Sequence, residues 1–155
     1  MTSKAIVTLA DSNYFSLLLE LIHSIKRYKE SKSISICVLD AGLTEDQCKI
    51  LKSLVYSIKK AKWDISVPKY KTFGKEWLKS QVSRAFLPNY FPEFEKYLWI
   101  DSDAWVNSWD SVELYFKACD GGKLGITQSV GPGYRILTKV KWILGKIAII
   151  KSQNY

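Results

Sequence analysis

Between Lys4 and Ile100, short apolar runs rich in β-branched residues alternate with stretches whose apolar residues recur every three or four positions. That alternation constrains the fold more than any single residue, because parallel strands need a crossover between neighbours and a helix is the usual one. Lys4 to Ala10 predicts a first strand, closed by the polar turn Asp11-Ser12-Asn13. Tyr14 to Tyr28 predicts a helix with Phe15, Leu18, Ile22 and Ile25 on one face and Lys26 and Arg27 directed elsewhere. Ser33 to Leu39 is the second strand. Thr44 then caps a helix, Gln47 answers it three residues on, and Leu43 staples to Cys48, with Leu51, Val55 and Ile58 continuing the face. The alternation of Trp63, Ile65 and Val67 predicts a third strand from Ala61 to Val67, and Lys75 to Phe86 a helix broken by Pro88 and Pro92. Tyr97 to Ile100 is the fourth strand. The expected architecture is α/β, a mostly parallel Rossmann-like sheet with helices on both faces.

The chain has 155 residues, 47% of them hydrophobic, which suits one domain with a real core. A net charge of +8, from 23 Lys plus Arg against 15 Asp plus Glu, points to anionic partners such as nucleotides, nucleic acid or acidic lipid. The lysines are spread along the chain rather than grouped with aromatics in a recognised module, so no nucleic-acid partner is expected. Cys37, Cys48 and Cys119 lie in apolar segments without zinc-type spacing and read as buried, reduced thiols. Met1-Thr2-Ser3-Lys4 leads into the first strand with no signal-peptide layout, and no run reaches the length of a spanning helix, so a cytoplasmic chain is expected. The character changes after about Gln128, which divides the chain into 1–127 and 128–155. Gly131-Pro132-Gly133 is a breaker; beyond it Ile136, Leu137, Val140, Ile143, Leu144 and Ile147 share one helical face, with Arg135, Lys139 and Lys146 mostly opposite. This stretch reads as a core-facing helix with a wet side, or, given Trp142 and its flanking lysines, as a peripheral membrane contact.

Ligands of open parallel sheets gather at the carboxyl ends of the strands. Asp11 to Asn13 follow the first strand and Asp101 to Asp103 the fourth, so the two polar clusters are expected to share one rim. Asp101 and Asp103 read either as a strand-end turn with one capping carboxylate or as two ligands of a divalent ion, the apolar residues on both sides favouring compensation by a cation. Asp11, Asn13 and Tyr14 read either as a helix cap with an exposed aromatic or as a base-recognition set, in which carboxylate and amide meet the edge of a pyrimidine and the ring stacks on its face. Arg84 is a solvated helical arginine or a phosphate contact. His23 is the single histidine and reads as structural. There is no Walker-type loop, zinc spacing or nucleophile motif. A phosphatase-like use of the D-x-D strand is disfavoured by Trp105 and by the position of Asp101 past mid-chain.

Read in order, Asp11-Ser12-Asn13-Tyr14, Val38-Leu39-Asp40-Ala41-Gly42-Leu43, Arg84 with Leu87-Pro88, and Leu98-Trp99-Ile100-Asp101-Ser102-Asp103 make the chain resemble glycosyltransferase family 8 over residues 4 to 127. The resemblance implies a GT-A fold and retaining transfer of a hexose from a nucleotide sugar, usually a UDP-sugar, with Mn2+ or Mg2+, to a saccharide or glycolipid acceptor. It implies that Ala10, Asp11, Asn13 and Tyr14 form the uracil-nucleoside pocket, that Arg84 contacts the donor, that Asp101 and Asp103 bind the metal, and that the Ser102 backbone lies against the ribose. Residues 1–127 would then be the donor-binding domain and 128–155 the start of the acceptor side. Family members continue for a hundred or more residues, with an asparagine-bearing segment and a late histidine that this chain lacks. The expectation is therefore a truncated enzyme, or a non-catalytic nucleotide-sugar binding module. The sequence assigns no donor sugar, catalytic nucleophile or oligomeric state.

Overall fold

The computed structural model describes residues 3–126 and 147–151. Strand β1 (Lys4–Ala10) is followed by helix α1 (Phe15–Lys26), β2 (Ser35–Asp40), α2 (Glu45–Lys52) and β3 (Ser57–Lys60). Three short helices, α3 (Lys69–Thr72), α4 (Lys79–Ser83) and α5 (Leu87–Tyr90), then lead to β4 (Lys96–Ile100), α6 (Trp109–Ala118), β5 (Gly125–Ile126) and β6 (Ile147–Lys151). The sheet order is β3-β2-β1-β4-β6-β5. β1 to β4 are mutually parallel, with Ala5 opposite Ser35 and Tyr97, whereas β6 runs antiparallel to both β4 and β5.

Both faces of the central strands are buried, and for that reason they read as continuous apolar runs rather than alternating ones. Ile6, Ala10, Ile36, Val38, Leu98 and Ile100 face a core built with Leu18, Leu21, Ile22 and Ile25 of α1 and Trp109, Val112 and Phe116 of α6. Val7, Leu9, Cys37, Leu39, Tyr97 and Trp99 face the other way, against Leu87, Tyr90, Phe91 and Phe94. α1, α2 and α6 line the first of these faces and α5 with the segment after it the second, the expected α/β arrangement. The capping box of α2 forms as read: Gln47 N–H donates to Thr44 Oγ1 at 3.2 Å and Thr44 N–H to Gln47 Oε1 at 2.9 Å.

Four expectations are corrected. The third strand is Ser57–Lys60 rather than Ala61–Val67. Ile58 therefore belongs to that strand and does not continue the α2 face, which ends at Lys52. The stretch from Lys75 to Phe86 is not one helix but a succession of short 3-10 and α turns. Ile147, read with the helical face beyond Gly133, opens β6 opposite Ile100. The Gly131-Pro132-Gly133 breaker, residues 136–144 of that face, and Arg135, Lys139, Trp142 and Lys146 lie outside the described residues. Among the described residues no helix is long and apolar enough to cross a membrane. Cys37 and Cys119 are buried and Cys48 half-buried, all three as thiols outside any disulfide.

Candidate functional site

The chain runs from β1 outward through β2 to β3, then returns across the sheet to place β4 on the other side of β1. This reversal makes a switch point between β1 and β4, the place where a crevice outside the carboxyl ends of the strands is expected in an open parallel sheet. Pairing between these strands extends to Val7 opposite Trp99, while β1 continues to pair with β2 as far as Ala10 opposite Asp40. Asp11 leaves one wall of that crevice and Asp101 the other.

On the β1 side, Ala10 is buried as the last strand residue. Asp11 Oδ1 accepts the N–H groups of Asn13 at 2.9 Å and Tyr14 at 3.1 Å, closing the turn that starts α1. Asp11 thus closes a turn ahead of the helix rather than capping it, since α1 starts after Tyr14 with no side-chain cap, and Asn13 is left exposed and Tyr14 46% exposed. The turn is tied to its neighbour: Ser12 N–H donates to Gly42 O at 3.1 Å, and Gln47 Nε2 to Ser12 O at 3.2 Å. Gly42 has φ +138°, a conformation that suits glycine, with Asp11 Cβ close by.

Asp40 holds that neighbouring loop. Its Oδ1 accepts Gly42 N–H and Leu43 N–H, each at 2.7 Å, and Lys60 Nζ lies 3.0 Å from Oδ2. Burial acts to raise its pKa, but the two N–H groups and the ammonium outweigh burial and hold the carboxyl below its usual range.

On the β4 side, Asp101 Oδ1 accepts Arg84 Nη2 at 2.7 Å and Trp99 Nε1 at 2.8 Å. Both bonds fall on one oxygen, and among the described residues no hydrogen bond falls on Oδ2. Arg84 also donates from Nε to Ser80 O at 3.0 Å, and its guanidinium carbon lies 5.1 Å from the Trp99 ring centroid. Burial lowers the Arg84 pKa, Asp101 opposes that effect, and the guanidinium stays charged. Ser102 is buried, Asp103 exposed, and Ala104 N–H closes the turn on Asp101 O at 3.0 Å.

The structure thus brings Arg84 to Asp101 and sets Ala10, Asp11, Asn13 and Tyr14 on the loop of the adjacent strand. His23 is exposed in the last turn of α1, at the end away from Tyr14. Three contributors escaped the sequence reading. Asp40 was signalled, being a carboxylate at a strand end like Asp11 and Asp101. Trp99 carried no signal beyond its apolarity. Asp64 accepts Tyr90 OH at 2.8 Å and Ser83 Oγ at 3.2 Å, tying the loop after β3 to the turns that bear Arg84. Burial raises the Tyr90 pKa, so the phenol remains a donor to Asp64.

Carboxylate oxygens are the hard donors that Mg2+ and Mn2+ favour, and Asp101 and Asp103 carry two such groups two positions apart. Among the described residues no group of three or more His, Cys, Asp or Glu side chains could hold a metal ion. Two carboxylates would suit an ion that takes its remaining ligands from phosphate and water.

Glycosyl transferase family 8 matches residues 5–121, a span that includes both loops of the crevice. This chain belongs to glycosyl transferase family 8. The family-8 chain is similar in structure to the galactosyltransferase LgtC in complex with donor and acceptor sugar analogs, with TM-score 0.66 and 20% identity over 95% of this chain and 57% of that one. It is also similar to the glycosyltransferase GlyE of Streptococcus pneumoniae TIGR4, with TM-score 0.63 and 19% identity over 97% of this chain and 34% of that one. A mannosyltransferase of Pyrobaculum calidifontis, in complex with GDP-Man and Mn2+, aligns at TM-score 0.53 and 12% identity over 96% of this chain and 44% of that one. These likenesses show the GT-A fold. The family-8 chain spans little more than half the length of LgtC. No curated protein matches it.

Proposed function

We propose that this chain is the donor-binding part of a metal-dependent, retaining glycosyltransferase that takes a hexose from a UDP-sugar to a saccharide or glycolipid acceptor. The observation that carries the reading is the pairing of two polar loops across the β1/β4 switch point: an aromatic and an amide beside one strand, two carboxylates and a fixed arginine beside the other. The complexes with donor analog and with GDP-Man and Mn2+ in proteins of this fold support it.

In this reading Tyr14 stacks on the uracil, while Asn13 and the Asp11 oxygen not engaged by the turn read its edge. The Ser102 backbone faces the ribose, and Arg84 brings its positive charge to the donor. Asp101 and Asp103 would hold Mn2+ or Mg2+, which when bound supplies Lewis-acid neutralisation of charge on the departing diphosphate. The Asp101 carboxylate is kept in one orientation by Trp99 and Arg84, so the site reorganises little when the donor enters. Retention requires the acceptor hydroxyl to approach the face that the leaving group vacates.

A second reading is a non-catalytic nucleotide-sugar binding module, since among the described residues no third His, Cys, Asp or Glu joins the two carboxylates. Release of UDP from a UDP-hexose with Mn2+, with and without oligosaccharide acceptors, separates them. Turnover above the metal-free control supports the enzyme; metal-dependent binding without release supports the module; absence of both contradicts the two readings together.

A further inference from the structure

Arg84 and a divalent ion would draw on the same carboxylate. The Arg84 side chain is only 8% exposed, bonded through Nη2 to Asp101 Oδ1 and through Nε to Ser80 O, and laid over the Trp99 ring. It is a cation built into the rim rather than a mobile surface group. Asp101 and Asp103 together carry two negative charges, and Arg84 cancels one of them before any ligand arrives. An ion entering alone therefore meets a half-neutralised site and a fixed like charge on the shared carboxylate. Asp101 is 23% exposed and Asp103 exposed, so water screens that repulsion without abolishing it. A nucleoside diphosphate changes the sign of the balance, because its negative charge is attracted by both cations at once.

We propose that Arg84 couples metal and nucleotide binding at this rim, opposing the ion while the diphosphate is absent and joining it once the diphosphate is present. This rests on the donor-site reading given above. By linkage the coupling is reciprocal: whatever factor the nucleotide adds to metal affinity, the metal adds to nucleotide affinity. An arginine that merely oriented Asp101 would do the opposite to metal affinity, since removing a group that orients a ligand weakens the metal site.

The test titrates the full chain with Mn2+ alone, followed by the paramagnetic signal of the free ion, and then with UDP in the presence and absence of Mn2+. The native chain is compared with Arg84→Gln and Arg84→Lys. Arg84→Gln is expected to bind Mn2+ alone on the order of tenfold more tightly, while the enhancement of UDP affinity by Mn2+ shrinks by a similar factor. Arg84→Lys, which keeps the charge, stays near the native values. Arg84→Met keeps an apolar stem over Trp99 and carries the same expectation should Arg84→Gln fail to fold by circular dichroism. Metal affinity unchanged or weakened in the neutral variants, with metal-dependent UDP binding intact in the native chain, overturns the coupling alone. Absence of metal-dependent UDP binding in the native chain overturns the donor-site reading and the coupling with it.

Discussion

Replacing Asp40 by alanine should loosen the rim from its β2 side, and the structure sets the size of the effect. The lost carboxylate leaves Gly42 N–H and Leu43 N–H without their acceptor, two charge-assisted bonds at 2.7 Å that contribute about 1–1.5 kcal/mol each. The Lys60 pair adds less than about 1 kcal/mol, because the lysine side chain is 66% exposed. The expected loss is about 2–4 kcal/mol, read by urea unfolding as a lower midpoint at unchanged slope. Asp40→Asn keeps an acceptor oxygen and should lose about half as much. The pH dependence follows from the depressed carboxyl: its folded pKa lies below the unfolded value, so the unfolded chain binds the proton more readily. Asp40 therefore stabilises fully above about pH 5, and its contribution disappears as pH falls through the folded value. The native and alanine proteins should converge in stability on acidification. A loss at neutral pH below about 0.5 kcal/mol, or a gap that widens in acid, would refute the reasoning.

Tyr14→Ala should weaken UDP binding on the order of tenfold by removing a stacking surface, with little change in unfolding midpoint because the ring is 46% exposed; an unchanged affinity argues against the base pocket. Cys37, fully buried with its thiol pushed up to about 12 mainly by desolvation, should resist a thiol reagent in the native chain and react only on unfolding. Half-buried Cys48 should be the first of the three to be labelled, and rapid native labelling of Cys37 by mass spectrometry would contradict the burial on which the second core is built.

The parts of the fold legible in the sequence are those whose local chemistry and tertiary setting agree. β1, β2 and β4 are buried on both faces and announce themselves as apolar runs, and α2 is fixed by a capping box complete within four residues. β3 is an edge strand with Lys59 and Lys60 exposed, and pairing with β2 rather than its own pattern makes it a strand. The alternation at Trp63, Ile65 and Val67 was equally regular, but β2 is already paired by Ser57–Lys60. Of the candidate site, the two strand-end clusters were visible because polar residues that interrupt apolar runs mark the sheet's rim. The Arg84–Asp101 bond was not visible, since the partners stand 17 positions apart with α5 and β4 between them and only the folded crossover brings them together. Asp64 was hidden for the same reason, its partners Ser83 and Tyr90 lying on separate turns.

The most direct test of the central claim is calorimetric titration of the native chain and Asp103→Asn with UDP, each with and without Mn2+. Mn2+ should tighten UDP binding to the native chain, and Asp103→Asn should lose on the order of tenfold or more of the metal-dependent affinity, because one ligand of the ion is removed. Metal-dependent UDP binding of native strength in Asp103→Asn would contradict the assignment of this rim as the donor site.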